Sequence, residues 1–173
     1  MDLTDFFINI FIILFLLFVN AFFVAAVKNN TIMIIKQLSV FLENKTGRIN
    51  EVTRILGEEG VNLSAFSMAE TADFGILRVI VSDPDKALEA LKKHHFGVSL
   101  TDVVCLNCPN TPGALAKALG YLSDENVFIE YMYAFAAGDV AHVVIRPDNI
   151  ENCIRVLTEH RLELMAAHQL YKL

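Results

Sequence analysis

A short phrase occurs twice in this chain. Asn44-Lys45-Thr46-Gly47-Arg48-Ile49 returns 66 residues later as Asn110-Thr111-Pro112-Gly113-Ala114-Leu115. Each copy follows an apolar run and opens an amphipathic helix pattern. Each helix pattern ends at a Val-led strand, Val61-Asn62-Leu63 in the first copy and Val127-Phe128-Ile129 in the second. A duplicated strand–loop–helix–strand unit leaves little choice of architecture. It also sets two loops at helix beginnings, where free backbone N–H groups can hold a small anion such as a carboxylate.

Hydrophobic periodicity fills in the rest. Ile35–Glu43 alternates, with Leu38, Val40 and Leu42 on one side, Gln37, Ser39 and Glu43 on the other, and Phe41 as the exception. Ile49, Val52, Ile55 and Leu56 recur at helical spacing until Gly60 stops them. Strands are predicted over 61–71 and 74–81. A helix opens at Asp83-Pro84 and ends near His95, and a strand follows. The second copy repeats the order β-α-β-β-α-β. Pro147-Asp148 is taken to open its second helix in the place of Pro84, offset by 63, and Leu162–Leu170 to close it as a strand.

This order predicts an α+β fold of two ferredoxin-like units, each an antiparallel sheet with both helices on one face. The boundaries are 34–101 and 102–173, with an apolar segment at 1–33. Only Val98–Cys108 joins the copies, and it holds no glycine or proline to fold it into a hairpin. One long strand is predicted there, its first half completing repeat one and its second half starting repeat two.

These features resemble the ACT domain, a small ligand-binding module of amino-acid metabolism. The carrying residues are Asn-x-x-Gly-x-Ile/Leu at 44–49 and 110–115, each followed by a helix, and then Val61-Asn62-Leu63. The resemblance covers residues 34–173, with no catalytic domain attached. It implies a stand-alone ACT pair that acts as a regulatory sensor rather than an enzyme. A free amino acid, apolar or aromatic, would bind at the β1–α1 loops: Asn44, Lys45, Thr46, Gly47, Arg48 and Ile49 with Asn62, and Asn110, Thr111, Pro112, Gly113, Ala114 and Leu115. It further implies a homodimer through sheets or helices and an enzyme of amino-acid metabolism as partner. No cofactor, metal or catalytic residue is called for. Repeat two departs from the pattern at Phe128, which stands where repeat one has Asn62. The alternative reading is a ligand-free structural pair that mediates assembly, its asparagines merely capping or turning.

The loops also make chemical sense without the family. Neutral amides read a zwitterion without adding net charge, and the Asn44 or Asn110 side-chain oxygen could meet an ammonium. Other constellations carry less. Cys105-Leu106-Asn107-Cys108 is a CxxC on a strand, where positions three apart face opposite sides. His94-His95 suits a helix C-terminus. His142 reads as a sheet residue, and His160 and His168 show no partner. Glu58-Glu59 and Asp124-Glu125 read as a solvated face. Tyr131, Tyr133 and Phe135 share one strand face and suit a core or an inter-domain interface, or else the lining of a pocket for an apolar side chain.

Composition bounds the partners. Residues 34–173 hold 13 Lys+Arg against 18 Asp+Glu, interspersed, so no basic face for nucleic acid is present. Three cysteines suit a reducing, cytoplasmic setting rather than a disulfide scaffold. Phe6–Val27 is a 22-residue run without charge, long enough to cross a membrane as a helix. Two readings stay open. It is a membrane anchor that tethers the rest to the inner face, or it lies upstream of a true start at Met33.

Overall fold

The computed structural model describes residues 12–20, 32–70 and 74–172. The chain divides into two compact units, 1–32 and 33–173. In the first, residues 12–20 are helical. Most of Phe6–Val27 lies outside the described residues, so the anchor expectation does too. Among the described residues no helix is long and apolar enough to cross a membrane.

The second unit runs β1 (Ile35–Glu43), α1 (Arg48–Glu58), β2 (Leu63–Glu70), β3 (Phe74–Val81), α2 (Pro84–Lys93), β4 (Gly97–Pro109), α3 (Ala114–Asp124), β5 (Ile129–Ala137), β6 (Val140–Pro147), α4 (Ile150–Glu159), β7 (Glu163–Leu164) and α5 (Ala167–Leu170). The strands form one sheet in the order β2-β3-β1-β4-β6-β5, and β7 also pairs with β4. Every pairing is antiparallel.

The long connecting strand is present. β4 spans 13 residues. Gly97–Val103 pair with β1, and Val104–Pro109 pair with β6. The second repeat therefore begins inside the strand that ends the first.

Three apolar clusters hold the unit. One packs α1 and α2 on β1 and β3, through Val52, Leu56, Ala87 and Leu91 against Leu38, Val40 and Val79. Another packs α3 and α4 on β4 and β6, through Leu122, Ile154 and Leu157 against Val104, Leu106 and Ile145. The third holds no residue of α1–α4. Ile35, Ala65 and Ile80 of repeat one meet Val103, Cys105 and Val144, with Tyr133 and Phe135 packed against them and Met165 and Leu170 closing the cluster. The bare sheet faces of the two copies thus bury much of each other, leaving Phe41 at the edge 47% exposed.

That contact overturns the polar reading of one face of β1. Gln37 is fully buried and Ser39 nearly so. Gln37 Nε2 donates to Tyr131 Oη at 2.7 Å, and Tyr133 Oη donates to Gln37 Oε1 at 3.0 Å. The Arg78 guanidinium lies 3.9 Å over the Tyr131 ring. The tyrosine strand is an inter-repeat interface, as its aromatic face suggests.

Two sequence expectations need correction. The structural offset between copies is 66 throughout, because β6 starts 66 residues after β3 and α4 starts 66 after α2. Pro147 therefore ends β6 and does not open a helix. The α4 cap is Asn149, whose side chain accepts from the Asn152 amide as Asp83 accepts from Lys86 at α2. The second correction concerns 162–170, of which only Glu163–Leu164 is strand. Leu106 and Asn107 already pair with β6 on one edge, so β7 takes the other, which β1 occupies up to Val103. Little edge remains. The chain coils instead into α5, where Gln169 Oε1 accepts from the Ala166 amide and Leu170 is buried.

Helices α1 to α4 end alike. Val61, Phe96, Val127 and Leu162 each donate back to the carbonyl five residues earlier, across a left-handed residue: Gly60, His95, Asn126 and Arg161. Arg161 carries a Cβ at φ 57°. Arg161→Gly should raise stability by about 0.5 kcal/mol, visible as a higher denaturant midpoint at constant m-value.

Candidate functional site

The two repeated loops have the same backbone. Gly47 sits at φ 90°, ψ −11° and Gly113 at φ 87°, ψ −14°, immediately before α1 and α3. No side chain caps either helix, whereas α2 and α4 are both side-chain capped. In loop one the Arg48 amide reaches the Lys45 carbonyl at 3.4 Å, and the Glu51 amide makes the first helical bond to Gly47. The amides of Ile49 and Asn50 meet no acceptor among the described residues. Leu115 and Ala116 repeat the arrangement, between Ala114 (to Thr111) and Lys117 (to Gly113). Each helix thus begins with unpaired donors at the positive end of its dipole.

The surroundings of the loops differ. Loop one borders a cleft of about 300 Å³ lined by Leu42, Glu43, Asn44, Lys45, Thr46, Arg48, Ile49 and Met68. Leu42, Glu43 and Met68 were not visible as site residues in the sequence. Met68 comes in from β2, and it fits because Gly75 opposite has no side chain: a Cβ there would lie 3.0 Å from Met68 Cε and 3.6 Å from Asn44 Oδ1. The Lys45 ammonium, 2.7 Å from the Glu43 carboxylate, holds that carboxyl below its usual range, with a smaller contribution from Arg48. Arg48 is occupied by the fold. Its guanidinium lies 4.4 Å over the Phe96 ring and pairs with Glu51.

In loop two, Asn110 is tied to the β5–β6 turn: its amide donates to the Asp139 carbonyl at 2.9 Å and its Nδ2 to the Gly138 carbonyl at 3.4 Å. Thr111, Pro112 and Gly113 are exposed and Ala114 and Leu115 half-buried. Of the sequence-selected residues the structure gathers Asn44–Ile49 around one cleft. It places Asn62 elsewhere, beyond the far end of α1, a helix about 16 Å long. There the Asn62 backbone exchanges hydrogen bonds with Ser82. Phe128 takes the matching place in repeat two, against Asp148. The Asn-to-Phe departure therefore does not touch loop two.

The remaining sequence features settle into structural roles. Cys105 lies in the third cluster and Cys108 in the second, on opposite sheet faces. His142 Nδ1 is 2.8 Å from Asn107 Oδ1 and its ring packs on Phe135. His160 has a partner after all: it stacks on Tyr121, centroids 3.7 Å apart. Glu59 pairs with Lys86 and Glu125 with Arg155, so the acidic helix ends bind across to α2 and α4. Among the described residues no cluster of His, Cys, Asp and Glu is arranged to hold a metal ion.

A paired βαββαβ unit with glycine-primed helix starts defines a class, and comparison with known proteins agrees. The chain belongs to the ACT domain pair family, whose model matches residues 33–173. Among solved structures it is similar to a protein from Bacteroides thetaiotaomicron, 64% identical over 82% of this chain and 98% of that one, with a TM-score of 0.79. It is also similar in fold to two regulatory subunits of aspartate kinase. The one from Thermus thermophilus, in its ligand-free form, is 17% identical over 74% of this chain and 92% of its own, TM-score 0.55. The one from Thermus flavus is 19% identical over 72% and 90%, TM-score 0.54. No curated protein matches the chain.

Proposed function

We propose that this ACT pair is a regulatory sensor of free amino acids, not an enzyme, and that loop one is its principal binding site. The observation that carries this reading is the pair of unpaired amides, Ile49 and Asn50, beside the 300 Å³ cleft. A carboxylate at those amides would place the ligand's side chain toward Leu42, Ile49 and Met68, which favours an apolar residue. Loop two offers the same amides, Leu115 and Ala116, and is the second site.

Binding acts by population shift, favouring one arrangement with a partner over another. The partner is a second copy of the chain or an enzyme of amino-acid metabolism, in the cytoplasm. Phe6–Val27 would add a tether to the inner face of the membrane. One observation favours a second role in assembly: Phe66 is 70% exposed on β2, an edge strand of the sheet.

Calorimetric titration of the chain with each of the twenty amino acids tests the sensor reading. At least one should bind at millimolar concentration or tighter. Gly47→Ala should weaken it about tenfold, because a Cβ at φ 90° meets no atom within 4 Å and so acts only through the backbone. Silence across all twenty would overturn the reading.

A further inference from the structure

The second repeat holds a cavity of about 190 Å³ under α3, which reaches the loop at Pro109 and Ala114. Ala114, Ala118 and Tyr121 line it from the helix, Leu106 to Pro109 from β4, and His160 and Leu162 from the chain beyond α4. The first repeat shows why this space is empty. Its matching crevice is filled by the Arg48 guanidinium lying over Phe96 and paired to Glu51. Sixty-six residues on, the three positions read Ala114, Leu162 and Lys117. The filling side chains are cut back, and the acid that neutralised them has become a base.

The geometry points to a second ligand site in repeat two, for a small carboxylate with a short apolar body. Lys117 is exposed at the rim and makes no ion pair among the described residues. It stands where a ligand anion would restore the charge balance that Arg48 and Glu51 keep internally. The body would lie on Ala114, Ala118 and Leu162, beside the stacked Tyr121 and His160 rings. Glu163, next to Leu162 in the chain, accepts from Asn107 Nδ2 at 3.1 Å. The volume equals about six waters and falls below the usual range of drug-sized pockets, so the ligand is small. This site needs no ammonium group, which separates it from amino-acid recognition at loop one.

The test is an NMR titration of the chain with 3-methylbutanoate and with benzoate, neither of which carries an ammonium. Both should shift resonances of Ala114, Ala118, Tyr121 and Leu162. 3-Methylbutanamide should bind more weakly than its acid. Lys117→Gln should weaken the carboxylates about fivefold, the size of an exposed ion pair. Ala114→Arg with Leu162→Phe, which installs the filling of repeat one, should abolish the shifts. Ala114→Phe alone blocks the same space from a half-buried position if the double variant does not fold. No shift at about 10 mM ligand, or shifts that survive the filling variants or ignore Lys117→Gln, would overturn the assignment. Either result leaves amino-acid binding at loop one to its own titration.

Discussion

Leu56→Ala and Leu122→Ala should each lower the same single melting transition, although they lie in different repeats. Both leucines are fully buried, Leu56 in the first helix-facing cluster and Leu122 in the second. Deleting each side chain should cost about 3 kcal/mol, from lost transfer energy plus the cavity left behind. For a unit of this size that lowers Tm by roughly 10 °C. Two repeats joined as beads would respond differently, with the mutated one melting early and the other unchanged. Here β4 supplies a strand to both halves, and the third cluster draws residues from both. Gln37 adds two hydrogen bonds across the same boundary. Unfolding one half would expose the other's sheet face and strip β4 of part of its pairing. Calorimetry of the two variants, with the double variant roughly additive in a single peak, checks this. A split endotherm in either single variant would show that the halves are independent.

The same coupling explains what was legible in the sequence. The repeated loops, the strands and helices around them and the long β4 depend on local pattern, so they could be read directly. The spacing of the copies went astray at Pro147, because a proline beside an aspartate resembles a helix start. Asn149, two residues on, holds the actual cap. Gln37 could not be placed, since a polar residue on an alternating strand reads as solvent-facing. Its partners Tyr131 and Tyr133 lie more than ninety residues away. His160 was unpaired in the sequence for the same reason, its partner Tyr121 being on another helix. At the candidate site, the loop itself was visible and its walls were not. Met68 reaches the cleft only because β3 pairs with both β1 and β2 and so brings β2 within one strand of the loop. Asn62 shares the repeated pattern with the loop but sits at the other end of α1, because a helix separates residues that lie close in sequence. The emptied crevice under α3 is visible only when the two copies are compared in three dimensions.

Above pH 9 the protein should lose stability steeply, and two thiols should account for most of the loss. Burial pushes Cys105 from its ordinary 9.0 up to about 12. Cys153 also rises to about 12, mainly by burial and then by the nearby Asp148 carboxylate. Burial raises the Tyr133 phenol in the same direction. A raised acid pKa means that the folded chain keeps a proton the unfolded chain gives up. Below pH 9 both states hold it, and stability does not depend on these groups. From pH 9 upward the unfolded state ionises first, and each thiol draws the equilibrium toward unfolding by about 1.4 kcal/mol per pH unit. The contribution levels off only near pH 12, where the native thiols ionise too. Denaturant unfolding at pH 8 and pH 10 should therefore differ by about 3 kcal/mol. Cys105→Val with Cys153→Val should remove most of that difference and leave the smaller slope due to the Tyr133 and Tyr171 phenols, both raised mainly by burial. An unchanged pH dependence in the double variant would mean that neither thiol is held neutral by the fold.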